Sequence, residues 1–373
     1  MRILFYTYSL QIGGAETVCV EYLLQLKKRG FEVCLVEDFH TTDSFLARKL
    51  QEGGVPVIPL WKGSVTVPLG MQRKRAARLL GLSHSFNRLL GTFQPDIVHL
   101  HGLPDHVDRL DFPAERMMFT FHSRVERNLG MLGEANTRLL KKMCGRGMYL
   151  CALTQEDRQE AQMRLQTDRV LCIPNGLDLG KVREIRYDRE ELSTHLGIPG
   201  EGFLVGTLGR LHEVKNHERL LAIFGKVKEK RPDALLLIVG GDAEGRMEKL
   251  KALAAQYGFG EAVFFPGIRS DADAILAALD CFVLPSKSES FGLAAVEAQA
   301  QGVRCVVSRA VPEDVLCTRQ AVSVGLEEPD EAWAEAIVNG NIENPAPREL
   351  ALFDIQNVIL RLIEAYEGLL HGT

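Results

Sequence analysis

The sequence predicts an α/β protein made of two Rossmann-like parallel-sheet domains facing across a cleft. Three observations carry that expectation. Short β-branched runs alternate with amphipathic stretches along all 373 residues, the pattern of strand–helix–strand units. The strand candidates are continuous apolar runs rather than alternating ones, as expected for parallel strands covered by helices on both faces. The alternation breaks once, in the charged stretch 177–202, and the two lengths on either side are each of domain size.

In the first half the strand candidates are 2–8, 31–37, 55–60, 96–101, 116–122, 148–154 and 170–174, with helical patterns such as 17–28 and 155–165 between them. In the second half they are 204–208, 234–239, 262–265, 281–284, 305–308 and 321–324, again bridged by helical patterns such as 217–230. The expected domains are 1–180 and 181–351. A final helix over about 352–373 follows a Pro/Asn-rich stretch and can pack back on the first domain.

Composition narrows the function classes. Lys and Arg total 44 and Asp and Glu total 49, a net charge of −5, which argues against a general nucleic-acid binder. A hydrophobic content of 46% with 25% charged residues is that of a globular chain. No apolar run approaches the roughly 18 residues of a membrane-spanning helix. The opening MRILFYTYSLQIGGAE reads as a first strand rather than a signal peptide. The eight cysteines form no CxxC and mostly sit in apolar runs, so buried free thiols in a reducing, cytoplasmic compartment are expected.

In open parallel sheets, ligands bind beyond the carboxyl ends of the strands, so the loops after the strands carry the candidate chemistry. The richest is CFVLPSKSESFGLAAVEAQAQGVRCVVSR, starting at Cys281. Glu289 lies in its loop and Glu297 in the small-residue helix that follows. A helix start over 290–293 favours an anion, and a carboxylate accepts two hydroxyls at once, which suits a ribose or sugar diol. Taken singly, Glu289 also reads as a loop cap and Glu297 as a paired helix residue. The second constellation is VGTLGRLHEVKNH. Arg210 offers a bidentate fork and Lys215 a mobile point charge, enough to neutralise most of a diphosphate without a metal; two surface cations remain the plainer reading. The third, Gly13-Gly14-Ala15-Glu16, is a possible phosphate cradle or simply a tight turn, and it is not the G-x-G-x-x-G dinucleotide fingerprint.

Two metal-like patterns have ordinary explanations. Asp271-x-Asp273 opens the helical run DADAILAALD, where capping and the helix dipole account for both acids. His99-x-His101 ends a strand and places two imidazoles on one face, without a convincing third ligand nearby. From Trp61 to Pro95 there are six basic residues (Lys62, Arg73, Lys74, Arg75, Arg78, Arg88) and no acid. A basic amphipathic helix there would suit an anionic membrane surface, or else cover the N-terminal core.

Together GGAE, PDIVHLHG (95–102), FHS (121–123), IPNGLD (173–178), GR…K and the Glu-x7-Glu segment resemble the retaining glycosyltransferases of family four, which have the GT-B fold. The similarity is greatest to bacterial enzymes of exopolysaccharide, capsule or lipopolysaccharide synthesis. The resemblance implies that Arg210 and Lys215 hold the diphosphate of a nucleotide-sugar donor, that Glu289 reaches the transferred sugar and that Glu297 binds the ribose. It implies that the backbone at Gly14 and at Phe291, Gly292 and Leu293 approaches phosphate and sugar, that Ile268 and Arg269 lie where the base is held, and that His122 lies near the anomeric centre. Gly241 belongs to the same set of donor-binding loops. The expected reaction is metal-independent transfer, with retention, from a UDP-sugar to a glycan or lipid-linked acceptor. A nucleotide-sugar epimerase of the same fold and a non-catalytic sugar-nucleotide-binding subunit are the alternatives. The family often has Gly where Asn216 stands and Pro where Arg304 stands.

Overall fold

The computed structural model describes residues 1–10, 14–39, 45–61, 81–184, 186–340, 344 and 349–372. Lys62, Arg73, Lys74, Arg75 and Arg78 of the expected membrane-docking segment lie outside the described residues. No described helix is long and apolar enough to cross a membrane. The chain divides into two compact units, Met1–Gly176 with Gln356–Thr373, and Leu177–Ile355.

The first unit is a seven-stranded parallel sheet in the order β3-β2-β1-β4-β5-β6-β7. Its strands are β1 (Arg2–Thr7), β2 (Glu32–Phe39), β3 (Val57–Trp61), β4 (Ile97–Leu100), β5 (Met117–Thr120), β6 (Tyr149–Ala152) and β7 (Val170–Cys172). Register is set by pairs such as Phe5 with both Leu35 and His99. Almost every residue of β1, β4 and β5 is buried, which is why the strands read as apolar runs. The helix Ile355–His371 ends the chain, and Tyr366 on it is fully buried in this unit.

The second unit is a six-stranded parallel sheet in the order β10-β9-β8-β11-β12-β13. Its strands are β8 (Leu204–Leu208), β9 (Leu235–Val239), β10 (Val263–Gly267), β11 (Cys281–Leu284), β12 (Arg304–Ser308) and β13 (Ala321–Val324). Its core gathers Phe224, Val227, Leu236, Ile238, Val283 and Trp333. Each sheet reverses its winding once, between β1 and β4 and between β8 and β11. Such switch points leave adjacent post-strand loops diverging to opposite faces, and ligands occupy the crevice between them.

The charged stretch that interrupts the alternation is not a bare linker. It contains the helices Leu179–Glu184 and Arg189–Leu196, the latter closed by an Asp188–Glu191 capping box. Arg183 and Arg186 from this stretch donate to the carbonyls of Ala300 and Gln301, at 3.3 and 2.9 Å. Those carbonyls end the helix Leu293–Ala300. Cations there complement the helix dipole and fix the helix with its N-terminus toward the β11 loop. All eight cysteines are free thiols, seven of them buried.

One local expectation is overturned. Asp271 is the residue before the helix Ala272–Ala277 but makes no side-chain cap. Its carboxylate is instead gripped by Arg269, Nε to Oδ1 at 2.8 Å and Nη2 to Oδ2 at 2.6 Å, and receives the Tyr187 hydroxyl at 2.9 Å. A two-pronged guanidinium bond outcompetes the capping geometry.

Candidate functional site

At the switch point of the second sheet, β8 ends in Gly209-Arg210 and β11 ends in Pro285-Ser286. After β8 the chain makes a 3-10 turn, Glu213–Lys215, and enters the helix His217–Lys230 through Asn216, whose φ is 59°. Asn is among the few non-glycine residues that tolerate this left-handed conformation. That explains how Asn can stand where the resembled family often has Gly. Its side chain also donates to the Pro285 carbonyl at 3.1 Å, tying the two post-strand loops together.

Lys215 then reaches the β11 loop. Its Nζ donates to Glu289 Oε1 at 2.7 Å. The Ser286 hydroxyl donates to the same oxygen at 2.5 Å, and Ser286 is fully buried. Glu289 is itself only 9% exposed, so its carboxylate is oriented from two sides. Ser286 is held in turn: its carbonyl accepts from the Ser308 hydroxyl at 2.6 Å. The sequence reading passed over Ser286. The available signal was a hydroxyl residue three positions before a loop glutamate, within the segment already singled out.

Two glycines shape the loop backbone. A Cβ on Gly240 would lie 1.9 Å from the Gly209 carbonyl oxygen, so the ends of β8 and β9 approach more closely than any side chain allows. Gly292 has φ 86° immediately before the helix Leu293–Ala300. The first backbone N–H groups of that helix have no partners within it. Phe291 is buried against Phe353 edge-on, with centroids 5.4 Å apart, and anchors the turn. Leu293 begins the helix, and Glu297 lies one turn inside it.

Glu297 is half-buried. Burial, with Asp273 nearby, pushes its carboxyl up to about 7, against the opposing pull of Lys215. Burial also raises Asp273, which feels Lys181. The two acids thus form a local cluster that the sequence reading did not link. Arg210 is exposed, and its guanidinium makes no hydrogen bond among the described residues. Ile268 is 82% exposed and lies beside Gly241, where a Cβ would come within 3.1 Å of it. Arg269 does not stand open: its guanidinium is committed to Asp271. Arg304, where the family often has Pro, donates to the Ala336 carbonyl at 2.7 Å and serves packing.

In the first unit Gly14 opens the helix Gly14–Lys28, and none of the described residues lies within 4 Å of a Cβ placed there. His122 follows β5 and His101 follows β4. His101 Nδ1 and His122 Nε2 are 2.7 Å apart. His99 is occupied at both nitrogens, by Tyr366 Oη at 2.6 Å and Thr120 Oγ1 at 2.7 Å. Burial holds His122 down to about 4 and His99 to about 3, and lowers His101 strongly, so all three are neutral at pH 7. Among the described residues no group of three His, Cys, Asp or Glu side chains is placed to hold a metal ion.

Two family models match the chain. Residues 12–181 match Glycosyltransferase Family 4, and residues 188–337 match Glycosyl transferases group 1. EpsF of Bacillus subtilis, classed among the glycosyltransferases, is 31% identical over 194 residues. That match spans 50% of this chain and about half, 49%, of the relative. Among solved structures, Anabaena HepE in complex with UDP-glucose superposes with a TM-score of 0.76 at 19% identity, over 99% of this chain and all of the other. WaaG, a glycosyltransferase involved in lipopolysaccharide biosynthesis, superposes with a TM-score of 0.66 at 18% identity, over 98% of this chain and 95% of its own. The shared architecture is the GT-B fold.

Proposed function

We propose, for a chain that belongs to the GT-B-type glycosyltransferases through both of its domains, that it transfers a sugar from a nucleotide-diphosphate donor to a glycan or lipid-linked acceptor with retention of configuration. UDP is the assigned nucleotide; the solved HepE complexes with UDP and UDP-glucose support it. The observation that carries the reading is the Lys215–Glu289 pair at the carboxyl ends of β8 and β11. It brings a phosphate-binding cation and a sugar-binding carboxylate to the sheet's switch point, next to a helix N-terminus.

The chemistry follows from charge. Breaking the bond between the sugar's anomeric carbon and the phosphate oxygen sends the electron pair to the diphosphate and leaves positive character on the ring. Lys215, Arg210 and the N–H groups at the start of the helix Leu293–Ala300 stabilise the departing anion. Losing one pre-organised donor of this kind costs about 2.7–4 kcal/mol. Glu289 takes the sugar hydroxyls and Glu297 the ribose diol. The acceptor oxygen bonds to the same face of the anomeric carbon, and its proton passes to the departing phosphate. The side chains alone neutralise the diphosphate in this scheme, so no metal is required.

We assign the acceptor to cell-surface polysaccharide synthesis, supported by the role of WaaG. The site is cytoplasmic, and docking at the inner membrane face runs through the basic segment that includes Arg73, Lys74, Arg75 and Arg78. Sedimentation with vesicles tests that docking: binding indifferent to anionic lipid removes it. A thermal-shift screen of UDP, GDP, ADP and their sugars tests the donor. A ligand at 100 times its Kd stabilises by about 2.7 kcal/mol. No shift with any of them overturns the reading. With a donor in hand, proton NMR of the first-formed product reads the anomeric configuration; inversion removes the retaining assignment.

A further inference from the structure

The two nitrogens of His101 have different environments. Nδ1 is 2.7 Å from His122 Nε2, and the rings meet edge to edge, with centroids 4.9 Å apart and planes 23° apart. Nε2 is buried and has no hydrogen-bond partner among the described residues. The ring is confined by Phe5, stacked with centroids 5.0 Å apart, and by His99 at 4.3 Å. His99 offers His101 nothing, because Tyr366 and Thr120 take both of its nitrogens.

A neutral imidazole carries one N–H and one lone pair. A buried orphan N–H is rare, whereas an under-used acceptor is better tolerated. The hydrogen of His101 therefore belongs on Nδ1, where it has a partner, and the bare lone pair on Nε2, where there is none. His101 then donates to His122 Nε2, and the hydrogen of His122 is left on Nδ1. We propose that His101 is a positioning residue that locks His122 in the Nδ1–H tautomer, so that His122 offers substrate a hydrogen-bond donor and not a base. The tautomer stands on the geometry around two neutral imidazoles; its consequence for transfer rests on the function proposed above. In that setting His122 donates to a hydroxyl of the transferred sugar. It does not deprotonate the acceptor, because its one lone pair is already spent on His101.

The test is two-bond 1H–15N correlation NMR on the 15N-labelled full-length chain, with the His122 signals identified by their loss in His122→Gln. The expected spectrum shows His122 protonated at Nδ1; protonation at Nε2 overturns the proposal without any variant or ligand. His101→Phe keeps the aromatic stack and removes the donor. It is expected to release His122 to the Nε2–H form, with UDP affinity unchanged and transfer reduced about 100-fold, the scale of one lost pre-organised donor. His101→Asn places an amide near the position of Nδ1 and is expected to restore the Nδ1–H form and part of the activity. A His122 tautomer unchanged by His101→Phe also overturns it. A chain with the Nδ1–H tautomer that binds no sugar nucleotide sinks the proposed function and leaves the tautomer assignment standing.

Discussion

Lys215 Nζ sits 2.7 Å from Glu289 Oε1, although the two residues are 74 positions apart. The cation comes from the loop after β8 and the anion from the loop after β11. Their meeting converts two adjacent strand ends into one chemical unit. Most of the predictions below concern this unit or the residues that hold it.

Lys215→Ala removes a charge-assisted donor worth about 1.5–3 kcal/mol. UDP affinity is expected to fall about 10–100-fold, read by isothermal titration calorimetry, with the fold retained by circular dichroism. Unchanged affinity here and in Glu297→Ala would refute the site.

Ser286→Ala removes the hydroxyl that holds Glu289 Oε1 at 2.5 Å while leaving Lys215 in place. The expected result is a split. UDP Kd stays within about threefold, whereas turnover of the sugar nucleotide falls about 10-fold or more, because only Glu289, the carboxylate proposed to take the sugar hydroxyls, has lost its orientation. Equal losses in both would mean that Ser286 merely supports the loop.

Glu297 makes stability and binding depend on pH. Its folded pKa of about 7 stands above the ordinary 4.5. Between those values the folded chain holds the proton more tightly than the unfolded one. Its contribution to stability is therefore full below about 4.5 and lost as pH rises to 7, by an amount on the order of 3 kcal/mol. The neutral buried histidines slope the other way, so the comparison must be made against Glu297→Gln. That variant is expected to gain melting temperature over the wild type at pH 8 but not at pH 5. UDP affinity of the wild type should rise from pH 5.5 to 7 as the carboxylate proposed to bind the ribose ionises, and that rise should vanish in Glu297→Gln.

Two glycine substitutions have opposite expected signs. Gly240→Ala drives a Cβ to 1.9 Å from the Gly209 carbonyl. It is expected to destabilise by about 1–3 kcal/mol and to weaken UDP. Gly91→Ala, in the helix Leu82–Phe93 with nothing within 4 Å of the new atom, is expected to stabilise by about 0.5–1 kcal/mol. Thermal melts of both check the packing argument.

Transfer is expected to survive excess EDTA with less than twofold loss of rate, because in the proposed scheme Lys215, Arg210 and the helix start supply the charge that a divalent ion supplies elsewhere. Loss of activity that returns with Mg2+ or Mn2+ would overturn the metal-free scheme.

The central strands were legible because burial on both faces leaves a local signature: runs such as Cys281–Leu284 and Leu235–Val239 are apolar throughout. The helix His217–Lys230 was legible from its own amphipathic periodicity. Arg210, Lys215 and Glu289 were legible as candidates because each lies in the loop after such a strand. Asp271 was misread as a cap, since its choice between the helix N–H groups and Arg269 depends on three-dimensional geometry. Asp273 and His101 were missed as partners, because nothing near them in sequence names the group each one meets; Ser286 was missed although its partner Glu289 lies only three residues on.

The sequence alone determined the class of fold, the positions of its strands and the residue types offered at their carboxyl ends, since these depend on interactions within a few residues. Only the tertiary structure decided strand order, and with it which loops meet. It also decided that Lys215 meets Glu289, that Arg269 is already spent on Asp271 and that His101 meets His122. Hydrogen bonds and ion pairs act over about 3 Å, and chain distance carries no information about which groups come that close.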